Sequence, residues 1–338
     1  MPLITLEEHY RAPMLRSVAF AGAGEPPPDS PMARIQAKLD DVGAQRLADM
    51  DAGGIDIQVL SHGAPGTEQL EPEQAIPLAR EANDYLARSI APHPDRFAAF
   101  ATLPTAAPKQ AAEELERAVT ELKFKGALIN GHVRGQFLDD RKFWPIFEKA
   151  QRLGVPIYLH PTEPPAAIRE AYYGGLPAQV AQAMSMAGWG WHVDTGLHVL
   201  RLIAGGVLDE YPGLQVIVGH MGEALPFFLA RSSRILRQQA GLSRPLEHYM
   251  AENLHFTTSG MFTYPPLICL LEVMGADRVM FSVDYPYSSN EEGSDFVHEA
   301  PISAVDAEKL AFRNTARLLG LDLDLSGSAA RAATTPGG

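Results

Sequence analysis

Short runs of apolar and β-branched residues recur along the chain, separated by longer segments whose apolar positions repeat at helical spacing. Eight runs occur, at residues 3–9, 55–62, 97–104, 125–132, 155–161, 214–222, 253–260 and 279–286. Near-continuous apolar strands that alternate with helices are typical of a parallel sheet covered on both faces. Eight such units predict an α/β fold, a single (β/α)8 TIM barrel with long active-site loops.

The segments between the runs carry helical patterns at 73–91, 111–122, 141–154 and 302–321. Two long insertions, 11–40 and 162–192, interrupt the alternation, and the sequence EPPPDSP in the first is incompatible with regular structure. Loops that follow barrel strands form the mouth of the active site, so both insertions are predicted to be lids. Residues 1–324 are predicted to form one barrel, and the small, polar residues 325–338 a disordered tail.

Polar side chains end several of these runs, where the strands of a barrel share one face. They are Glu7, Glu8, His9, His160, His220 and Asp284. Because side chains alternate along a strand, Glu7 and His9 are predicted to share a face, with Glu8 turned towards the helix layer or a polar partner. A set of Glu7, His9, His160 and Asp284 offers mixed nitrogen and oxygen ligands, which suit Zn²⁺, Mn²⁺ or Fe²⁺.

His220 lies in the segment GHMGEALPFFLAR, residues 219–231. A histidine exchanges protons near neutral pH, so we interpret His220 as a general acid or base, or as a donor to substrate. Glu223 is three residues further on and is predicted to fix the His220 tautomer. Arg231 follows on the same helix, where it either binds a substrate anion or forms a surface ion pair.

Net charge and cysteine content exclude several classes of function. A net charge of −13 argues against a nucleic-acid partner. The single cysteine, Cys269, cannot form an intrachain disulfide, which favours a reducing compartment. No apolar run reaches the roughly 18–20 residues of a membrane span, and no signal peptide leads the chain. The sequence therefore predicts a cytoplasmic protein without a membrane partner.

Four motifs resemble the amidohydrolase superfamily, and in particular its branch of metal-dependent, non-oxidative decarboxylases. They are LEEH (6–9), TGLHVLRL (195–202), GHMGEALPFFLAR (219–231) and ADRVMFSVDYP (276–286). They are similar to motifs of the γ-resorcylate and 2,3-dihydroxybenzoate decarboxylases, and the similarity runs from about residue 3 to about residue 320. The resemblance implies a carboxy-lyase that protonates a ring carbon of a hydroxybenzoate-type acid and releases CO₂.

The resemblance also implies a cofactor, site residues and an assembly. One divalent metal, Mn²⁺ or Zn²⁺, would be held by Glu7, His9, His160 and Asp284, with no organic cofactor. Asp284 would also donate the proton, His220 would be catalytic and Glu223 would orient it. Arg231 would contact the small aromatic acid, and Asn130 would line its pocket. The chain would form a homodimer or a homotetramer.

Two other functions are compatible with these residues. A metal-dependent hydrolase of an amide, ester or lactone would use the same ligands to activate water, with Asp284 or His220 as the base. Many hydrolases of the superfamily begin with H-x-H and carry a lysine at the fourth strand, whereas this chain has E-x-H and no lysine there. A non-catalytic binding protein would have lost a ligand or His220, and all are present. By chemistry alone, the roles of Asp284 and His220 in decarboxylation are interchangeable.

Overall fold

The computed structural model describes residues 1–19 and 26–321. All eight predicted strands are present in chain order: β1 (Ile4–Tyr10), β2 (Ile57–His62), β3 (Phe97–Ala99), β4 (Ala127–Asn130), β5 (Ile157–His160), β6 (Val216–Val218), β7 (Leu254–Thr257) and β8 (Val279–Met280). The polar ends of the sequence runs extend past several strands, so those strands are shorter than the runs. The predicted tail, 325–338, lies outside the described residues.

All strand pairs are parallel, and neighbours in sequence are neighbours in space. Strands β1–β3 form one sheet and β4–β8 another, and a parallel bridge between Ala101 and Ala127 joins them. Past β8, the backbone N–H of His9 donates a 2.7 Å hydrogen bond to the Tyr285 carbonyl oxygen. This order of eight parallel strands is that of a TIM barrel, which confirms the predicted fold class.

Sixteen α-helices surround the strands in the described residues. They are α1 (Arg16–Ala19), α2 (Pro31–Asp40), α3 (Ala44–Ala52), α4 (Pro72–Ile90), α5 (Pro108–Thr120), α6 (Trp144–Leu153), α7 (Ala166–Tyr173), α8 (Ala178–Ser185), α9 (Gly190–Ala204), α10 (Val207–Glu210), α11 (Leu225–Ala240), α12 (Leu246–Asn253), α13 (Tyr264–Met274), α14 (Asn290–His298), α15 (Ala304–Glu308) and α16 (Asn314–Leu319). Short 3₁₀ turns occur at Pro13–Leu15, Arg141–Phe143, His220–Gly222 and Ala276–Arg278, and a π-helical turn (Lys309–Arg313) interrupts the last predicted helix. No helix in the described part of the chain is long and apolar enough to cross a membrane.

The core lies between the strands and the helix layer. Strand side chains such as Leu6, Val59, Ile129 and Ile217 are fully buried. Each side chain of this size contributes about 1.5–3 kcal/mol when it is removed from water. Burial on both faces explains why the strands read as nearly continuous apolar runs.

Both long insertions contain helices that the sequence patterns did not predict. The first contains α2, which begins where the Ser30 hydroxyl accepts a hydrogen bond from the Ala33 N–H and Pro31 occupies the first turn. The second contains α7, α8 and the start of α9, and prolines 165 and 177 directly precede α7 and α8. Residues 26–30 form no helix or strand, as the sequence EPPPDSP predicts. Its last proline, Pro31, begins α2 because a fixed φ suits a first turn.

Candidate metal centre

The four predicted metal ligands converge at the carboxyl ends of the strands. Glu7 and His9 belong to β1, His160 ends β5, and Asp284 lies four residues after β8. One ligand atom from each lies within 4.8 Å of those from the other three. His9 Nε2 is 3.3 Å from Asp284 Oδ1, and His160 Nε2 is 3.2 Å from Glu7 Oε1. Side chains from distant parts of the sequence thus face one small volume.

A β-bulge directs Glu7 into this volume. The pairing of β1 with β2 shifts register between Leu6 and Glu8, which leaves Glu7 as the extra residue. Its φ of +84° is in the left-handed region, where non-glycine residues are uncommon. Side chains therefore do not alternate strictly along β1, contrary to the prediction. Glu7 and His9 nevertheless face the same site, because a bulge redirects the side chain of its extra residue.

Glu8 points away from this cluster and ties β1 to the segment after β8. The buried Glu8 carboxylate accepts hydrogen bonds from the backbone N–H groups of Val283 (2.9 Å) and Tyr285 (3.0 Å). Burial raises the pKa of Glu8 to about 7, although these two donors act to lower it. The two donors are the residues on either side of Asp284. Glu8 therefore fixes the position of Asp284 relative to β1.

The cluster has the donor atoms that a divalent cation requires. Glu7 Oε1 and His9 Nε2 are buried, and their contacts with His160 and Asp284 are not aligned as hydrogen bonds. Such an arrangement costs free energy unless another group satisfies these atoms. The other ring nitrogen of His9, Nδ1, is 3.2 Å from the Ser61 hydroxyl, the outer contact that usually orients a metal-binding histidine. Two carboxylates and two imidazoles therefore fit one Mn²⁺- or Zn²⁺-type ion.

Charge interactions between these groups outweigh the effect of burial. Burial acts to raise the pKa of Glu7, but His220 and the histidine ligands His160 and His9 lower it well below its usual value. Burial acts to lower the pKa of His9, but Asp284 raises it. A bound cation takes the place of these histidine protons, so we expect its affinity to fall as the pH is lowered.

His220 lies beside the ligands, in the 3₁₀ turn after β6. Its Nδ1 donates a 2.8 Å hydrogen bond to Glu223 Oε1, and its Nε2 is 3.7 Å from Glu7 Oε1 and 3.8 Å from Asp284 Oδ2. Burial acts to lower the pKa of His220, but the carboxylates of Glu223 and Glu7 raise it well above its usual value. The His220 ring thus faces the ligand cluster and is oriented by Glu223.

The two predicted substrate-binding residues lie in different environments. Asn130 ends β4, is buried, and pairs in register with His160, so it is a neighbour of the ligand cluster. Its backbone N–H donates a 2.9 Å hydrogen bond to the buried Glu68. Arg231 is exposed on α11. Within residues 1–19 and 26–321, no hydrogen bond or ion pair joins Arg231 to the cluster.

Several residues that contact this site were not predicted from the sequence, and two of them lie on helices. His192, on α9, donates from Nδ1 to Glu223 Oε2 at 2.6 Å. Arg46, on α3, is fully buried and donates to the backbone carbonyl oxygen of His9 at 2.6 Å. Neither residue ends a strand, so the pattern that identified the ligands carries no signal for them. A buried arginine has no sequence signature of its own, because arginines are mostly exposed.

Comparisons with known proteins identify relatives along nearly the whole chain. A family model described as Amidohydrolase matches residues 17–321. Decarboxylase orsB of Emericella nidulans is 42% identical over 94% of this chain and 97% of its own length. Gamma-resorcylate decarboxylase of a Rhizobium species is 38% identical over 94% of this chain and 98% of its own length.

A solved structure extends the similarity to three dimensions. The dihydroxybenzoic acid decarboxylase of Polaromonas sp. JS666, solved with manganese and the inhibitor 2-nitroresorcinol, superposes with a TM-score of 0.86. It is 34% identical, and the match covers 95% of this chain and 97% of that one.

Proposed function

The chain belongs to the amidohydrolase family, and on that premise we propose that it removes CO₂ from a hydroxylated benzoate by protonating a ring carbon. Decarboxylases 35–42% identical match 94% of this chain, so it is a metal-dependent carboxy-lyase that acts on aromatic acids. The alternative, a hydrolase of the same superfamily, is not favoured. The observation that carries the proposal is the ligand cluster of Glu7, His9, His160 and Asp284, with His220 beside it.

We propose that these four residues hold one Mn²⁺ or Zn²⁺ ion. When bound, such an ion orients the acid and lowers the pKa of a phenol next to the carboxylate. No organic cofactor enters the proposal, because protonation followed by loss of CO₂ requires no electron acceptor or group carrier. The fit rests on the unpartnered buried atoms Glu7 Oε1 and His9 Nε2.

Asp284 is the proposed proton donor. Its side chain is 18% exposed, whereas those of Glu7, His9 and His160 are 5% exposed or less, so it is the ligand with most access to a substrate. A new C–H bond forms at the ring carbon that carries the carboxylate. The C–C bond to that carboxylate then breaks, its electron pair restores the aromatic ring, and CO₂ leaves. Positioned donors of this type commonly contribute about 10²–10⁴-fold to the rate.

His220 and Glu223 support this proton transfer. Burial acts to raise the pKa of Asp284, but His220 and His9 lower it, so Asp284 requires a neighbour that resupplies its proton. His220 Nε2, 3.8 Å from Asp284 Oδ2, is placed to do so and to bind a phenolic or carboxylate oxygen of the substrate. Glu223 keeps a proton on His220 Nδ1. We also propose that Asn130 lines the substrate pocket and that Arg231 binds the carboxylate of the substrate.

The proposed assembly is a homodimer or a homotetramer. Large apolar side chains are exposed on the helices around the second insertion and on α11. They include Tyr172, Trp189, Phe227 and Phe228, and Phe227 is 76% exposed. Exposed apolar side chains in such numbers are typical of a protein–protein contact. Since the net charge is −13, we propose no nucleic-acid partner, and a cytoplasmic location stays a prediction.

The test combines metal analysis with a decarboxylation screen. The panel is salicylate, 2,6- and 2,3-dihydroxybenzoate, orsellinate and 5-carboxyvanillate, with product chromatography and His220→Asn as the blank. About one metal per chain and loss of CO₂ from one acid, abolished in the variant, is the expected result. A metal-loaded protein that is inert on every acid would overturn the reaction but keep the site. A protein that cannot be loaded with metal would overturn both.

A further inference from the structure

The Glu223 carboxylate has a histidine on each oxygen. His220 donates to Oε1 at 2.8 Å, and His192 donates to Oε2 at 2.6 Å. Glu223 itself is 2% exposed, and the two imidazole rings meet edge to face with centroids 4.9 Å apart. A carboxylate held at both oxygens cannot rotate without breaking a charge-assisted hydrogen bond. The orientation of His220 therefore depends on His192 as well as on Glu223.

His192 also connects Glu223 to the second insertion. Its other ring nitrogen, Nε2, donates a 2.9 Å hydrogen bond to the Ala187 carbonyl oxygen, in the turn between α8 and α9. The His192 side chain is 25% exposed, so it is not a core residue held by packing alone. One imidazole thus joins the helical insertion to the proton-carrying pair at the metal centre.

The backbone around His220 needs external support. His220, Met221, Glu223 and Ala224 all have φ between +46° and +63°, a left-handed region in which non-glycine residues are strained. Helix α9 supplies a second contact at this segment. A Cβ atom added to Gly196 would lie 2.8 Å from the Glu223 carbonyl oxygen. The helix that carries His192 therefore packs directly against the strained turn.

We propose that His192 is a positioning residue for the decarboxylation. It anchors Glu223 to the turn after α8, so that Glu223 presents His220 to the substrate oxygen and to Asp284. This inference rests on the proposed function, in which His220 handles the proton. His192 acts through Glu223 and does not need to touch the substrate, so its loss lowers turnover more than substrate binding.

Kinetics of two His192 variants test the proposal. His192→Phe removes both donors, and His192→Asn keeps an amide N–H at the position of Nδ1, the atom that donates to Glu223. We expect kcat to fall by about 10–100-fold in His192→Phe, with KM and metal content within about twofold of wild type. His192→Asn recovers most of the loss. The matched control is His298→Phe, at an exposed histidine on α14, which leaves kcat unchanged.

A spectroscopic readout separates this inference from the proposed reaction. In ¹⁵N-histidine-labelled protein loaded with diamagnetic Zn²⁺, the hydrogen-bonded Nδ1 proton of His220 gives a resolved signal that is lost in His192→Phe and kept in His192→Asn. This outcome stands even if every acid in the panel is inert. An unchanged signal with an unchanged kcat in His192→Phe would overturn the proposal, as would equal losses of kcat, metal and melting temperature in both variants. If His192→Phe does not fold, His192→Leu, which also lacks a donor, replaces it.

Discussion

The Tyr158 hydroxyl on β5 donates a hydrogen bond to Oε2 of Glu7 on β1. Ser259 donates to the same oxygen, and Thr257 is 2.8 Å from the Tyr158 hydroxyl. Hydroxyl groups from β5 and from the end of β7 thus occupy one oxygen of the Glu7 carboxylate and leave Oε1 facing the cluster. This arrangement holds the bulged residue in its strained conformation and fixes which oxygen faces the proposed metal site.

Replacing Tyr158 by phenylalanine tests this role. The ring and its packing are kept, but one donor to Glu7 is lost, so Glu7 is less firmly oriented. Since partners of metal ligands typically contribute about 10–100-fold to affinity, we expect the dissociation constant for Mn²⁺ to rise by that factor. Competition against a chelator of known affinity measures it.

The matched control for this variant is Tyr249→Phe. Tyr249 is also buried, and its hydroxyl donates a 2.8 Å hydrogen bond to Asp209, on α10. We expect Tyr249→Phe to leave the Mn²⁺ affinity unchanged. Equal affinities in the two variants would show that the Tyr158 hydroxyl does not orient Glu7.

Gly196→Ala tests the contact between α9 and the turn that carries Glu223. In an exposed helix, alanine is about 1 kcal/mol more favourable than glycine. Here the added Cβ would lie 2.8 Å from the Glu223 carbonyl oxygen, so either the helix or the turn must move. We expect a loss of stability of about 1–3 kcal/mol, typical of overpacking, together with a lower kcat. Urea unfolding and steady-state kinetics measure the two effects, and a variant more stable than wild type would contradict the close approach.

Acid conditions should destabilise the protein through His198. Its Nε2 accepts a 2.9 Å hydrogen bond from the Leu138 N–H, and burial lowers the pKa of His198 to about 3. The unfolded chain binds a proton at this residue below about pH 6.5, whereas the folded chain does not until about pH 3. The free energy of unfolding therefore falls as the pH is lowered through this window, by up to about 1.4 kcal/mol per pH unit.

His198→Gln isolates this contribution. The glutamine oxygen can still accept from Leu138 but does not titrate, so we expect a smaller loss of stability between pH 6.5 and 5 than in wild type. Urea unfolding at several pH values gives the slope. The exposed His298→Gln provides the comparison and should keep the wild-type slope. If His198→Gln also keeps it, the pH dependence originates elsewhere.

A charge on α11 tests the proposed assembly. Phe227→Asp places a carboxylate where an exposed aromatic ring would be buried by a neighbouring subunit, so we expect a lower molar mass by light scattering after size-exclusion chromatography. Val305→Asp is the control, because Val305 is 63% exposed on α15, away from α11 in sequence. An unchanged mass in Phe227→Asp would exclude this helix from the subunit contact.

The sequence predicts the strands and the ligand cluster well because both depend on local patterns. An apolar run followed by His160 or Asp284 shows where a strand ends, and the barrel brings those ends together. The bulge at Glu7 has no such pattern, since a positive φ at glutamate is locally unfavourable and is maintained by the distant Tyr158 and Ser259. His192 was missed for a similar reason, because its partner Glu223 lies 31 residues further along the chain.

The first and last residues of the site are also synthesised at very different times. Glu8 on β1 bonds to Val283, 275 residues later, and the ligand Asp284 follows Val283 directly. At roughly 5–20 residues per second, a ribosome would complete this pair roughly 14–55 s after Glu8 is made. A metal held by all four proposed ligands could therefore not guide the early steps of folding. A nascent chain would gain its full affinity for such an ion only once the last strand had joined the first, so metal uptake would report that the barrel has been completed.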